Sequence, residues 1–284
     1  MSAPLAMRTG TDRIGSAFAK TRLERRTAFI AYLVAGYPSA EHAFGAAIAA
    51  LEAGADMLEI GVPFSDPMAD GPVIAAASRE SIAGGGGLKG AVELASRLRE
   101  HGVTKPLMAM SYLNPLIATS GGGALGALAS SGVDGLIVPD LPADEDPAFE
   151  REVAARGLRI AFLVAPNTLP ARIERAAAAS TAFLYVVPLL GVTGMRHSLA
   201  DGALELIERV AAISAGRVPI VAGFGISSAS QVARLGSVAD GVVVGSALIQ
   251  ALDGDDRGGG VERVRSLVTE LTGGTSAPTA AMAT

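Results

Sequence analysis

Short apolar runs alternate with Ala-rich segments of helical period along almost the whole chain, and this alternation restricts the fold more than any single motif. Runs at 28–34, 56–60, 106–111, 134–138, 159–164, 181–187, 218–222 and 241–244 have the length and composition of strands. The spacing predicts a leading helix over 13–25 and a helix capped by Ser39 that runs to 52. Further helices are predicted over 72–83, 88–101, 122–131, 145–156, 169–179, 199–215, 227–235 and 260–272, with a short one beginning after Gly245. Eight strands alternating with at least as many helices in roughly 250 residues indicate an α/β chain folded as a (β/α)8 barrel, the TIM-barrel architecture. It would carry an extra N-terminal helix and short extra helices in its βα loops. A doubly wound open sheet is the runner-up. No linker or composition shift marks a second domain, so 1–272 reads as one barrel domain and 273–284, rich in Thr, Ala, Ser and Pro, as a disordered tail.

Composition removes several classes of function. A chain of 284 residues, 50% hydrophobic, can bury a large core. A net charge of −5 argues against a nucleic-acid surface. With no cysteine there is no disulfide, thiol nucleophile or zinc–thiolate site. The three histidines, His42, His101 and His197, are too far apart to have ligand spacing, so no transition metal is expected. The N-terminus MSAPLAMRTGTDRIG lacks a signal peptide's apolar core, and no run is long enough to cross a bilayer. A soluble, cytoplasmic protein is the default.

The stretch 58–77, LEIGVPFSDPMADGPVIAAA, concentrates the unusual residues. Glu59 lies inside an apolar strand, where a carboxylate is costly unless paired, protonated or used. In a closed barrel it points either into the barrel or into the surrounding helices. Asp70 before Gly71-Pro72 has a plain reading as a helix N-cap, and Asp66-Pro67 as an Asx-type turn.

Barrel active sites occupy the loops after the strands. Glu59, Asp70, Tyr112, Asn114, Asp140, Thr193, Gly194, Gly225 and Ser246 all fall at or after strand C-termini. Gly223-Phe224-Gly225, Gly245-Ser246-Ala247 and Gly191-Val192-Thr193-Gly194 could cradle a phosphate on backbone N–H groups without a lysine, although glycines also make tight turns. The only lysines are Lys20, Lys89 and Lys105, none at a strand C-terminus, which disfavours a Schiff-base aldolase. Acid–base chemistry by carboxylates on a phosphorylated substrate remains.

With these residues in view, LEIGVPFSDPMADGP, AYLVAGYP, YLNP, PDLP, GVTG, GFGIS and VVVGSA together resemble the tryptophan synthase α-chain family over residues 12–272. The resemblance implies cleavage of indole-3-glycerol phosphate to indole and glyceraldehyde 3-phosphate, with no cofactor in this chain. It also implies a pyridoxal-phosphate β subunit as partner in an α2β2 complex, taking indole through a tunnel. Glu59 would be the catalytic acid/base and Asp70 the second carboxylate, near the indole N–H. Tyr32, Met110, Tyr185 and Thr193 match substrate-binding positions, and Gly194, Phe224, Gly225, Gly245 and Ser246 match positions at the phosphate. Pro63, Asp66, Asn114 and Pro142 match surfaces that face the β subunit.

The chain departs from the family at Pro188-Leu189-Leu190, at Ala75 and in the glycine run 84–87. These changes bear on closure of the sixth loop and on communication with β rather than on the carboxylates. Three alternatives stay open: a stand-alone lyase releasing free indole, a weakly catalytic regulatory α-like subunit, and another phosphate-binding barrel enzyme such as an isomerase.

Overall fold

A computed structural model describes residues 12–118, 123–187, 196–223, 225–253 and 259–276. Eight parallel strands pair in chain order: β1 (Ala28–Val34), β2 (Met57–Gly61), β3 (Leu107–Met110), β4 (Gly135–Ile137), β5 (Arg159–Val164), β6 (Leu184–Val186), β7 (Ile220–Gly223) and β8 (Gly241–Val244). β8 pairs back onto β1, Ala28 opposite Gly241 through Ala31 opposite Val244. That pairing closes the barrel and sets the open sheet aside.

The helices in order are α1 (Arg13–Leu23), α2 (Ala40–Glu52), α3 (Pro72–Ala83), α4 (Leu88–Glu100), α5 (Leu113–Ile117), α6 (Gly123–Ser130) and α7 (Pro147–Ala155). They continue with α8 (Pro170–Ala179), α9 (Arg196–Ser214), α10 (Ala229–Gly236), α11 (Ser246–Leu252) and α12 (Gly259–Thr272). Local chemistry starts several of them. Ser39 caps α2 by accepting the His42 N–H. Asp146 caps α7, and Ser228 with Gln231 makes a reciprocal capping box on α10.

The strands are buried almost throughout, because helices cover the barrel outside and side chains fill it inside. α1 plugs the N-terminal mouth with Ile14 and Phe18. The Phe18 ring meets Phe183 edge-on at 6.1 Å, and Phe183 meets Tyr185 in the same way. This aromatic column leads up the barrel and supports Tyr185 from below.

The strand starts share one device. A residue one to three positions ahead of each even strand uses a side-chain oxygen to accept the backbone N–H at the start of the odd strand before it. Asp56 takes Phe29 N–H, Asp134 takes Leu107, Thr181 takes Ile160 and Asp240 takes Ile220, all at 2.8–2.9 Å. Each also donates its own N–H to the same strand residue's carbonyl. Bonds that would be orphaned at the barrel's open end are thereby closed. Arginines neutralise the aspartates: Arg26 grips Asp56 with two nitrogens, and Arg99 and Arg13 both reach Asp134.

Several sequence expectations change. β6 starts at Leu184 rather than 181, since the Ser180 and Thr181 side chains replace ladder bonds there. The loop after β3 holds the short helix α5, one more βα-loop helix, at a place where the spacing predicts none. Residues 273–276 are in place rather than loose: Thr27 N–H donates to the Thr275 carbonyl, and Ser276 bridges to Arg26. Residues 277–284 lie outside the described residues.

Candidate functional site

The register of β2 decides where its acid points. Met57, Glu59 and Gly61 share one face, and Glu59 lies opposite Tyr32 on β1 and Met108 on β3. That face is the barrel interior. Glu59 lines a cavity of about 610 Å³ that opens at the C-terminal ends of the strands. It is only 1% exposed. Its Oε2 is buried and has no hydrogen-bond partner among the described residues.

Asp70 reaches the same cavity by a different route. The loop after β2 turns twice, Met68 N–H to the Asp66 carbonyl and Asp70 N–H to the Pro67 carbonyl. The Asp66 turn is thus made by backbone, while its carboxylate accepts the Ser65 hydroxyl. Asp70 is not the helix cap: Gly71 takes that position, without a side-chain cap bond. Its carboxylate is hydrogen-bonded to Tyr112 instead. The Tyr112 hydroxyl also accepts Ala69 N–H at 2.8 Å, and its ring lies 5.2 Å from Phe64. Tyr112 therefore holds the loop that carries Asp70 over the barrel.

The two carboxyls are tuned apart. Burial, and then the negative charge of Asp70, push Glu59 up to about 8. Burial pushes Asp70 up to about 6, with the Tyr112 hydrogen bond working against the rise. At neutral pH Glu59 holds a proton and Asp70 is ionised. An acid and an anion in one cavity are the elements of acid–base catalysis.

Tyr32, Met110, Tyr185, Gly225, Gly245 and Ser246 all line this cavity. A Cβ at Gly223 would overlap the Tyr185 hydroxyl, so that glycine gives the phenol its room. Gly225 has φ +46°, a backbone that favours glycine. Thr193, Gly194 and Phe224 lie outside the described residues, as does 188–190. Asp66, on the loop after β2, and Asn114, on α5, are exposed at this end of the barrel. Pro142 is exposed as well and lies at the cavity's rim. Pro63, expected to present surface beside them, is buried. Asp140 does not reach into the cavity wall; it accepts the Leu113 N–H and starts α5.

Residues not assigned from sequence also line the cavity, among them Ile137, Leu163 and Val243. Each sits near the end of a strand on its inward face, so strand phase could have found them once the barrel was set. Among the described residues, no group of three His, Asp or Glu side chains comes together as a metal site. The Lys105 ammonium lies far from the cavity, donating to the Leu51 and Ala55 carbonyls.

A family model described as tryptophan synthase alpha chain matches residues 18–275. The chain belongs to the tryptophan synthase alpha chain family. It is 42% identical over 247 residues to the tryptophan synthase alpha chain of Deinococcus radiodurans, covering 87% of this chain and 90% of that one. It is also 42% identical to the alpha chain of a Roseiflexus species over 262 residues, 92% of this chain and 100% of the relative. A crystal structure of tryptophan synthase from M. tuberculosis in an aminoacrylate-bound form superposes with a TM-score of 0.82 at 34% identity. That match covers 93% of this chain and 99% of the other. Membership in the tryptophan synthase alpha chain family accounts for both the barrel and the motif around Glu59.

Proposed function

We infer that this chain is the α subunit of tryptophan synthase, a carbon–carbon lyase that cleaves indole-3-glycerol phosphate to indole and glyceraldehyde 3-phosphate. The observation that carries the reading is Glu59, a fully buried carboxyl with an unpartnered oxygen, beside an ionised Asp70. A retro-aldol cleavage needs an electron sink. Glu59 donates its proton to indole C3, and the ring nitrogen takes up the positive charge. Asp70 accepts the indole N–H and stabilises that charge as it develops. Glu59, now a carboxylate, removes the proton of the ring-attached carbinol. The C–C bonding electrons return to the ring, indole leaves and the carbinol carbon becomes the aldehyde. The proton account closes on one residue, and the chemistry needs no cofactor in this chain.

The phosphate end falls to Gly225, Gly245 and Ser246, with Gly194 and Phe224 from the family pattern. Gly245 precedes α11, whose first N–H groups have no intrahelical partner to bond. The β subunit, with its pyridoxal phosphate, would cover the face bearing Asp66, Asn114 and Pro142. Met68, on the loop after β2, is 86% exposed and Ile117, at the end of α5, 54% exposed, apolar surface that a partner would bury. A biosynthetic subunit of this kind belongs in the cytoplasm. No helix among the described residues is long and apolar enough to cross a membrane.

The deciding experiment is indole release from indole-3-glycerol phosphate by the purified chain, with and without a β subunit. Slow release alone and an acceleration of about 10- to 100-fold by β are expected. Fast release that ignores β would favour a stand-alone lyase. No release under either condition would remove the lyase assignment.

The pH profile tests the roles of the two acids. Glu59 must be protonated to start the reaction, so kcat/KM falls as pH rises through about 8. Asp70→Asn removes the negative charge that helps hold the Glu59 proton. The residual activity of that variant should therefore lose its alkaline limb at lower pH than the parent. A limb that stays in place or moves up would contradict this assignment.

A further inference from the structure

Tyr32 is one of the polar side chains of the cavity to which the chemistry above gives no task. It is 4% exposed, and its ring is wedged between two glycines. A Cβ on Gly61 would overlap the Tyr32 hydroxyl, and one on Gly245 would stand 3.0 Å from ring carbon Cδ1. β1 lies between β8 and β2 in the barrel. Gly245 follows β8 on the phosphate side, and Gly61 ends β2 at the root of the loop that carries Asp70. Tyr32 therefore faces the middle of a molecule that reaches from the loop after β8 to Asp70.

Its hydroxyl makes no hydrogen bond within the described residues; Asp70 and Glu59 act on it only through space. Burial and those two negative charges push its pKa well above the usual range, so it stays a neutral phenol that can donate. The side chains around it include apolar Met110 and Val243 and the phenol of Tyr185, which acts on it through space without a hydrogen bond. A phenol in the wall of the cavity with no hydrogen bond to the described residues is free to bond a ligand, and a ligand hydroxyl is a natural partner.

The substrate of the proposed function joins an aromatic ring to a phosphate through three carbons with two hydroxyls. One is the carbinol that gives its proton to Glu59. The other takes no part in bond breaking. We propose that the Tyr32 hydroxyl hydrogen-bonds this second, non-reacting hydroxyl, so that Tyr32 selects a hydroxylated chain over a deoxy one and holds the carbinol against Glu59. The inference rests on the proposed function, and Tyr32 acts in it as a positioning residue.

Tyr32→Phe keeps the ring between the two glycines and removes one oxygen. Two readouts separate recognition from packing: cleavage of indole-3-glycerol phosphate, and binding of indole-3-propanol phosphate, which has the ring and the phosphate but neither chain hydroxyl. The expected result is a fall of about 10- to 100-fold in kcat/KM, with the propanol phosphate Kd changed by less than about twofold. Retained binding of the deoxy analogue also shows that the variant site is folded. Equal losses for both compounds would make Tyr32 a packing residue and overturn the proposal, as would no loss in either. A parent chain that binds the analogue but cleaves nothing would instead overturn the proposed function.

Discussion

Glu59→Gln is expected to lose cleavage by about 1,000-fold or more, since one carboxyl both gives the first proton and takes the second. The same substitution should change how stability depends on pH. Glu59 has an ordinary value of 4.5 and is held at about 8 in the fold. Between these values the folded chain keeps a proton that the unfolded chain has released. Its stability therefore falls as pH rises through that window, by at most about 1.4 kcal/mol per pH unit from this group. Glutamine has no proton to lose. The stability of Glu59→Gln relative to the parent should thus increase steadily from about pH 5 to about pH 8, on top of a constant offset from burying an amide. Thermal or denaturant unfolding across that range, run beside the indole assay, checks both halves. A pH-independent difference would mean that Glu59 is not held protonated by the fold, and the acid step would need another donor.

Asp134→Ala should give the largest loss of stability while leaving the chemistry at the far end of the barrel in place. Its carboxylate, 11% exposed, accepts the Leu107 N–H and pairs with Arg99 and Arg13 at 2.7–2.8 Å. Alanine leaves a strand N–H unpaired where β3 begins. It also removes the counter-charge of Arg99, whose guanidinium is already disfavoured by burial and keeps only the Gly132, Val103 and Lys105 carbonyls. Breaking one partner of such a buried network costs about 3–5 kcal/mol, or a fall in Tm of roughly 6–15 °C for a chain this size. Asp134→Asn keeps an oxygen for Leu107 and should recover part of the loss. The KM of the folded fraction should be unchanged. A Tm within about 2 °C of the parent would show that the clip and its arginines are replaceable by water.

The barrel was legible because its signal is long-range and repeated. Eight apolar runs separated by helical segments leave few alternatives, and errors of a residue or two at each end do not alter the count. The strand ends were less legible. At 56, 134, 181 and 240 a side-chain oxygen takes a bond that backbone would otherwise make, and polar residues before a strand look the same whether or not they do this. Asp70 shows the opposite difficulty. Asp-Gly-Pro ahead of an Ala-rich segment has local chemistry that favours a cap, and in the folded chain Gly71 holds that position. Only the return of Tyr112 from the loop after β3 shows that the carboxylate is held for the cavity.

By itself the sequence determined the number and order of strands, the end of the barrel where chemistry collects, the carboxylates available and the exclusion of lysine and thiol chemistry. These follow from residue type and spacing along the chain. Tertiary structure alone decided that Glu59 faces inward, that burial raises its carboxyl further than that of Asp70, and that Tyr32 packs between Gly61 and Gly245. The physical reason is the same in each case. Strand phase, burial and the distance between charges depend on residues brought together from separate strands, and a linear pattern carries no record of which of them share an interior.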